Sequence, residues 1–202
     1  MTDFFSLFEE QRRPWLEPEG LKKKFLTLSA RYHPDRLHNA SEAEKQAGQT
    51  RYAEFNAGYN CLREPRHRLG HLLELERGAK PKNVHQVPSD LMNVFIEVSQ
   101  LCREADSFVA KKEAVSSPLL KVQLFETGQT LAENLMQLQR QLVSWLEKIA
   151  QLLKEMDEQW LQNSDFTRRQ TMLKELEDHY CLLSYLNRWQ AQIQERLVRL
   201  TL

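Results

Sequence analysis

Glycine is scarce in this chain, at six residues in 202, and none of it forms a phosphate-cradling loop or a dinucleotide-binding turn. Cysteine is scarcer still. Cys61, Cys102 and Cys181 lie far apart with no Cys-x-x-Cys pair, which argues against a disulfide framework and against a sequence-local zinc site. Neither sign of charge is in excess, because 28 Lys and Arg balance 28 Asp and Glu. The global attraction of a general nucleic-acid binder, or of a protein that coats anionic membranes, is therefore missing, and charge-driven recognition has to come from a local patch. There is no run of about 18 apolar residues to span a bilayer. The opening Met1-Thr2-Asp3-Phe4-Phe5 has no basic region leading to an apolar one, so the expectation is a soluble, unexported, cytoplasmic protein. No nucleophile-base arrangement is evident, and an enzymatic activity of its own is not expected.

What the chain does have is helix-forming sequence almost throughout. Long stretches are rich in Leu, Glu, Gln, Lys and Arg, and no segment alternates with period two. The expected class is all-α. Gly78 to Pro88 combines helix breakers with few large apolar residues and reads as a linker. It divides the chain into an N-terminal unit at 1–77, a linker at 78–90 and a C-terminal helical bundle at 91–202.

In the N-terminal unit, Asp3 can cap a short helix carrying Phe4, Phe5, Leu7 and Phe8, and Pro14 and Pro18 mark the break before the next. The second helix runs from about Pro18 to Tyr32. Leu21, Phe25, Leu28 and Tyr32 form its buried stripe and leave Lys22, Lys23, Lys24 and Arg31 mainly toward solvent. Ser41 and Glu44 stand in capping-box spacing before a third helix whose buried face is Tyr52, Phe55, Tyr59 and Leu62. Pro65 ends that helix near Glu64 and opens a fourth, with Leu69, Leu72, Leu73 and Glu76 at helical spacing. His67 and His71, four apart on this helix, make a weak metal pair short of ligands, and the plainer reading is partly exposed helix histidines, so no metal or other cofactor is expected.

In the C-terminal unit, Leu91, Met92, Phe95, Val98, Leu101 and Cys102 mark one helix, and Ser116-Ser117-Pro118 breaks and restarts the chain. From Leu131, the residues Leu135, Leu138, Leu142, Trp145, Ile149, Leu152 and Met156 alternate steps of four and three, a heptad seam, with Gly128 a point of interruption at its beginning. Asn163-Ser164-Asp165 supplies a turn and a cap. Leu173, Leu176, Tyr180, Leu183, Leu186, Ile193, Leu197 and Leu200 then form a returning stripe, which completes an antiparallel three-helix bundle.

The chemistry concentrates in His33-Pro34-Asp35, directly after the basic helix. Pro34 lacks an amide hydrogen and stiffens the turn. Asp35 offers an acceptor-only carboxylate suited to a charge-assisted bond with a partner's arginine, and His33 can hold that presentation. Such a tripeptide alone is weak evidence, but its context is specific. Arg31-Tyr32-His33-Pro34-Asp35-Arg36 between an aromatic-backed basic helix and a capping-box helix, with Phe55-Asn56-Ala57-Gly58-Tyr59-Asn60-Cys61-Leu62 followed by Pro65 and Arg68, resembles the J domain. The resemblance implies a co-chaperone that docks on a DnaK-type or HscA-type 70-kilodalton heat-shock chaperone and stimulates its ATPase. Lys22, Lys23, Lys24, Arg31 and Arg36 would then form the docking patch, and His33, Pro34 and Asp35 the trigger.

Neither a Gly/Phe-rich stretch nor cysteine-rich repeats follow. Asp3-Phe4-Phe5-Ser6-Leu7-Phe8, Leu62-Arg63-Glu64-Pro65 with Leu72-Leu73, and Leu91-Met92 opening the bundle resemble the HscB family of iron-sulfur cluster co-chaperones. That resemblance implies an IscU-type scaffold as client, held by Leu91, Met92, Phe95 and Tyr185. Ile96, Ser99 and Arg103 stand where the family would place carboxylates, and the same apolar residues also fit a bundle core. Two alternatives stay open at this point: a coiled-coil scaffold or oligomerisation protein with a J-like domain, and a J protein with a different client.

Overall fold

The computed structural model describes residues 2–33, 36, 41–81, 87–162 and 165–201. It is all-α, with no strand among the described residues. The helices are α1 (Phe4–Leu7), α2 (Pro18–Arg31), α3 (Glu42–Arg63), α4 (Pro65–Arg77), α5 (Met92–Ala114), α6 (Pro118–Gln162) and α7 (Phe166–Thr201), with a 3-10 turn at Ser89–Leu91 before α5. Among the described residues no helix is long and apolar enough to cross a membrane.

The first four helices begin and end where local chemistry dictates. The Asp3 carboxylate accepts from Phe5 N–H at 3.0 Å and Ser6 N–H at 3.2 Å, satisfying donors that the first turn of α1 leaves free. Pro18 opens α2, with the Glu17 side chain as its cap. Ser41 and Glu44 close a reciprocal capping box on α3. Pro65 opens α4, and Gly78, at φ 71°, closes it in the left-handed conformation that glycine adopts without a Cβ penalty. Gly58 serves a different need. A Cβ there would lie 2.8 Å from the Phe8 ring and 3.2 Å from Phe4, so its absence lets α1 lie directly on α3.

Two compact units result: Met1–Lys82 with Ala150–Tyr180, and Asn83–Ile149 with Cys181–Leu202. Helices α6 and α7 contribute to both. In unit 1, Phe5, Phe8, Leu21, Phe55, Leu62, Leu69, Leu72 and Leu73 are buried together with Leu153, Trp160, Leu173 and Leu176. In unit 2, Leu91, Val98, Ala105 and Val109 of the 3-10 turn and α5 are buried, as are Leu135, Leu138, Leu142 and Ile149 of α6 and Leu183, Leu186, Trp189 and Ile193 of α7.

Helix α6 departs from the sequence expectation twice. It runs unbroken for 45 residues through Gly128, whose missing Cβ would sit 3.0 Å from the Phe108 ring; the glycine admits a neighbour and leaves the helix whole. The buried row also leaves the strict heptad after Ile149, where Leu153 is fully buried and Leu152 is 44% exposed. A straight helix at 3.6 residues per turn drifts roughly 20° per heptad, and the drift turns the apolar face at the point where α6 passes from one unit to the other.

Candidate functional site

The basic surface of α2 follows from the amphipathic spacing. Phe25 stacks on Tyr59 of α3 with ring centroids 4.2 Å apart, and Tyr32 meets Phe55 at 5.6 Å, so the opposite side carries the cations. Lys22, Lys23 and Arg31 are exposed. Lys22 makes a long pair with Glu19, at 3.7 Å, and such surface pairs contribute little. Lys24 is differently placed. Its ammonium donates to the Phe8 and Glu9 carbonyls at 3.2 Å each and to the Glu10 carboxylate at 2.6 Å, using all three donors on the loop after α1. Lys24 thus fastens the fold, while Lys22, Lys23 and Arg31 stand exposed.

At the end of α2, the His33 ring meets Tyr52 edge-on at 5.6 Å, and Arg36 N–H donates to the His33 carbonyl at 3.0 Å. His33 and Arg36 are exposed. Pro34 and Asp35 lie outside the described residues.

Helix α4 supplies two buried polar groups. Arg68 donates from Nε to the Pro14 carbonyl at 2.8 Å and from Nη1 to the Leu62 carbonyl at 2.6 Å, and burial lowers its pKa to about 10. His71, expected to be partly exposed, is buried instead, because α1 lies over it: its Nε2 accepts the Phe4 N–H, 3.1 Å away, and its ring stacks on Phe5. Burial depresses its pKa, as suits a ring that must be neutral to accept. That lone pair is thereby occupied, and His67 stands exposed. The Cys61 thiol donates to the His67 carbonyl with Sγ 3.6 Å away, and burial pushes its pKa up to about 11, so it is no thiolate at neutral pH. Among the described residues no group of three or more His, Cys, Asp or Glu is placed to hold a metal ion.

The client residues expected from the sequence separate into two sets. Leu91 is fully buried and Tyr185 is 5% exposed, with its ring 5.5 Å from Trp189 and capped by the Arg188 guanidinium. Met92 and Phe95 are 44% and 38% exposed, and Ile96 beside them is 54% exposed. Phe95 leans on Trp189 at 6.2 Å. The surface of this face is thus Met92, Phe95 and Ile96, with Phe95 backed by an aromatic floor of Trp189 and Tyr185, while Leu91 belongs to the core.

No protein-family model matches the chain. A co-chaperone protein HscB homologue of Chromobacterium violaceum is 30% identical over 118 residues, which span 58% of this chain and 67% of the relative. The chain belongs to the HscB co-chaperone family. The chaperone HscB of Vibrio cholerae shares the fold at a TM-score of 0.57 and 20% identity, with 96% of each chain covered. The human co-chaperone protein HscB, in its crystal structure, does so at 0.61 and 17%, with 98% of this chain and 81% of that one covered. As an HscB-family co-chaperone, the chain brings its basic helix and the His33 turn together by sequence adjacency alone. It brings Phe95 and Trp189 together only through the packing of α5 on α7. Trp189 escaped the sequence reading although it stands three after Leu186 and four before Ile193, on the α7 stripe itself; that spacing and its large apolar area were the available signals. Asp157 and Trp160 also escaped; the sequence register placed Met156 in the seam, and Asp157 joins the buried row only through the shift that begins at Leu153.

Proposed function

We propose that this HscB-family protein docks on a DnaK-type or HscA-type 70-kilodalton chaperone and stimulates its ATPase, without catalysing a reaction itself, in the service of iron-sulfur cluster assembly in the cytoplasm. Residues 1–77 face the chaperone, 78–90 connect, and 91–202 carry the client, an IscU-type scaffold. Lys22, Lys23, Arg31 and Arg36 steer the encounter, because exposed cations on one face raise association rates with an acidic surface. His33, Pro34 and Asp35 form the trigger, in which a carboxylate on a stiff turn meets an arginine of the chaperone. Met92, Phe95 and Ile96 form the client face, with Leu91 and Tyr185 beneath. The observation that carries the reading is the exposed basic side of α2 leading straight into the His33 turn.

The test is chaperone ATPase measured against added co-chaperone. Asp35→Asn is expected to reduce stimulation by at least roughly tenfold with an unchanged melting curve, the scale of losing one charge-assisted contact in a complex. Lys22→Ala with Lys23→Ala should raise the half-saturating concentration and flatten its salt dependence. Full stimulation by Asp35→Asn would reject the reading. The 45-residue α6, with Leu120, Val122 and Phe125 exposed near its start, favours a second reading as an oligomerisation scaffold. A wild-type chain that sediments as a monomer at working concentrations while stimulating the ATPase would reject that one.

A further inference from the structure

We infer that Asp157 and Trp160 of α6 are positioning residues for the chaperone-docking helix α2, so that the chaperone-facing unit is assembled from two separate stretches of sequence. The inference rests on the proposed docking role of α2. Between α1 and α2 the chain has no regular structure from Glu10 to Glu17, and backbone groups in such a stretch need partners from elsewhere.

Helix α6 provides two of them and holds a side chain between them. Trp160 Nε1–H donates to the Arg12 carbonyl at 2.7 Å. The Asp157 carboxylate accepts from Arg13 Nε at 3.0 Å, meets Arg13 Nη2 as well, and accepts from Trp15 N–H at 3.3 Å. Lys154 lies 5.2 Å over the Trp15 ring. Arg68 of α4 takes the Pro14 carbonyl. Residues 12–15 are therefore pinned one after another, and α2 starts at Pro18. The first half of the same connection is held from α2 itself by Lys24.

Asp157 is 2% exposed, in a row where Ile149, Leu153 and Trp160 are apolar. An apolar side chain there would avoid the cost of desolvating a carboxylate, and a buried ion pair is weak evidence of stabilisation. What the pair supplies is direction: a bidentate arginine fork accepts one geometry. The anchor itself is held, since Arg169 covers the Trp160 ring at 3.2 Å and donates to the Trp160 carbonyl at 3.0 Å. Contact of Phe25 with Tyr59 sets how closely α2 rests on α3; the pinned connection sets where its first turn lies, and with it the direction in which Lys22 and Lys23 point.

The test uses the full chain with Asp157→Asn and Trp160→Phe, singly and together, at a temperature where circular dichroism gives wild-type helicity. Trp160→Phe keeps an aromatic ring and removes the indole N–H donor, so it stays informative should Asp157→Asn fold poorly. The expected result for the double variant is a half-saturating concentration raised roughly five- to tenfold in chaperone ATPase assays, the usual reach of residues that act through others. The maximal stimulated rate should be retained, and amide exchange across residues 12–21 should be faster. A purely structural role would lower the melting temperature and leave half-saturation of the folded variants unchanged, and that result overturns the inference. Should the wild-type chain not stimulate the ATPase, the docking reading falls instead; wild-type exchange across residues 12–21 in the variants would overturn the positioning by itself.

Discussion

The connection between α1 and α2 leaves its carbonyls to be met by side chains of α2, α4 and α6, whereas the long helices of unit 2 satisfy their own backbones. Unit 1 is accordingly rich in directional bonds from side chain to main chain: Lys24 to Phe8 and Glu9, Arg68 to Pro14 and Leu62, Trp160 to Arg12, and Arg77 to Leu173. Unit 2 is held by apolar rows, joined by polar ties from Asp106 to Arg196 and Arg199 and from Gln139 to Gln194. The difference teaches that short helices with irregular connections need polar donors at defined places, while three long helices need only a continuous apolar face. The first kind of structure fixes where a helix begins. The second tolerates changes along its surface.

The largest test of that contrast is Arg68→Met. It strands two buried carbonyls, so we expect a loss of about 4 kcal/mol in chemical denaturation, from two charge-assisted bonds at the usual magnitude. Amide exchange should open in unit 1 and stay slow in unit 2; equal opening of both would show one cooperative body and end the distinction. Leu138→Ala, at a fully buried position of unit 2, should cost about 3 kcal/mol through lost transfer energy and the cavity left behind. The neighbouring pair on α6 sharpens the contrast between register and composition: Leu153→Ala is expected to cost about as much as Leu138→Ala, and Leu152→Ala less than about 1 kcal/mol. Similar losses at 152 and 153 would restore the strict heptad.

The smallest effect is in pH. Burial holds His71 below its ordinary pKa, and its Nε2 must stay unprotonated to accept from Phe4. The unfolded chain therefore binds this proton more readily than the folded one. The stability tied to His71 is complete above the unfolded value of about 6.5 and declines as pH falls toward the folded value. His179, also depressed by burial, adds in the same direction. Melting of wild type and His71→Gln between pH 7.5 and 5 should converge as pH falls, because the variant lacks one of these protons; parallel curves would remove His71 from the account.

Much of unit 1 was legible before folding. Asp3, Ser41 with Glu44, Pro18 and Pro65 bound their helices as capping and proline chemistry require. The face proposed for a client was only half legible, because Leu91, Met92 and Phe95 share one pattern, yet Leu91 is core and Met92 is surface. Helical spacing gives an angular position and leaves open which neighbour covers it, and Tyr185 went under the surface for that reason.

By itself the sequence determined the all-α class, the caps and prolines that open the first four helices, the basic side of α2 and the His33-Pro34-Asp35 motif, since each depends on groups within a few residues of one another. Only the tertiary structure decided that Lys24 is a fastener, that Arg68 and His71 are buried on main-chain partners, and that Arg13 and Asp157, 144 positions apart, form one polar tie. Those outcomes depend on which surfaces lose water together. No local pattern records that, because desolvation is a property of the packed chain.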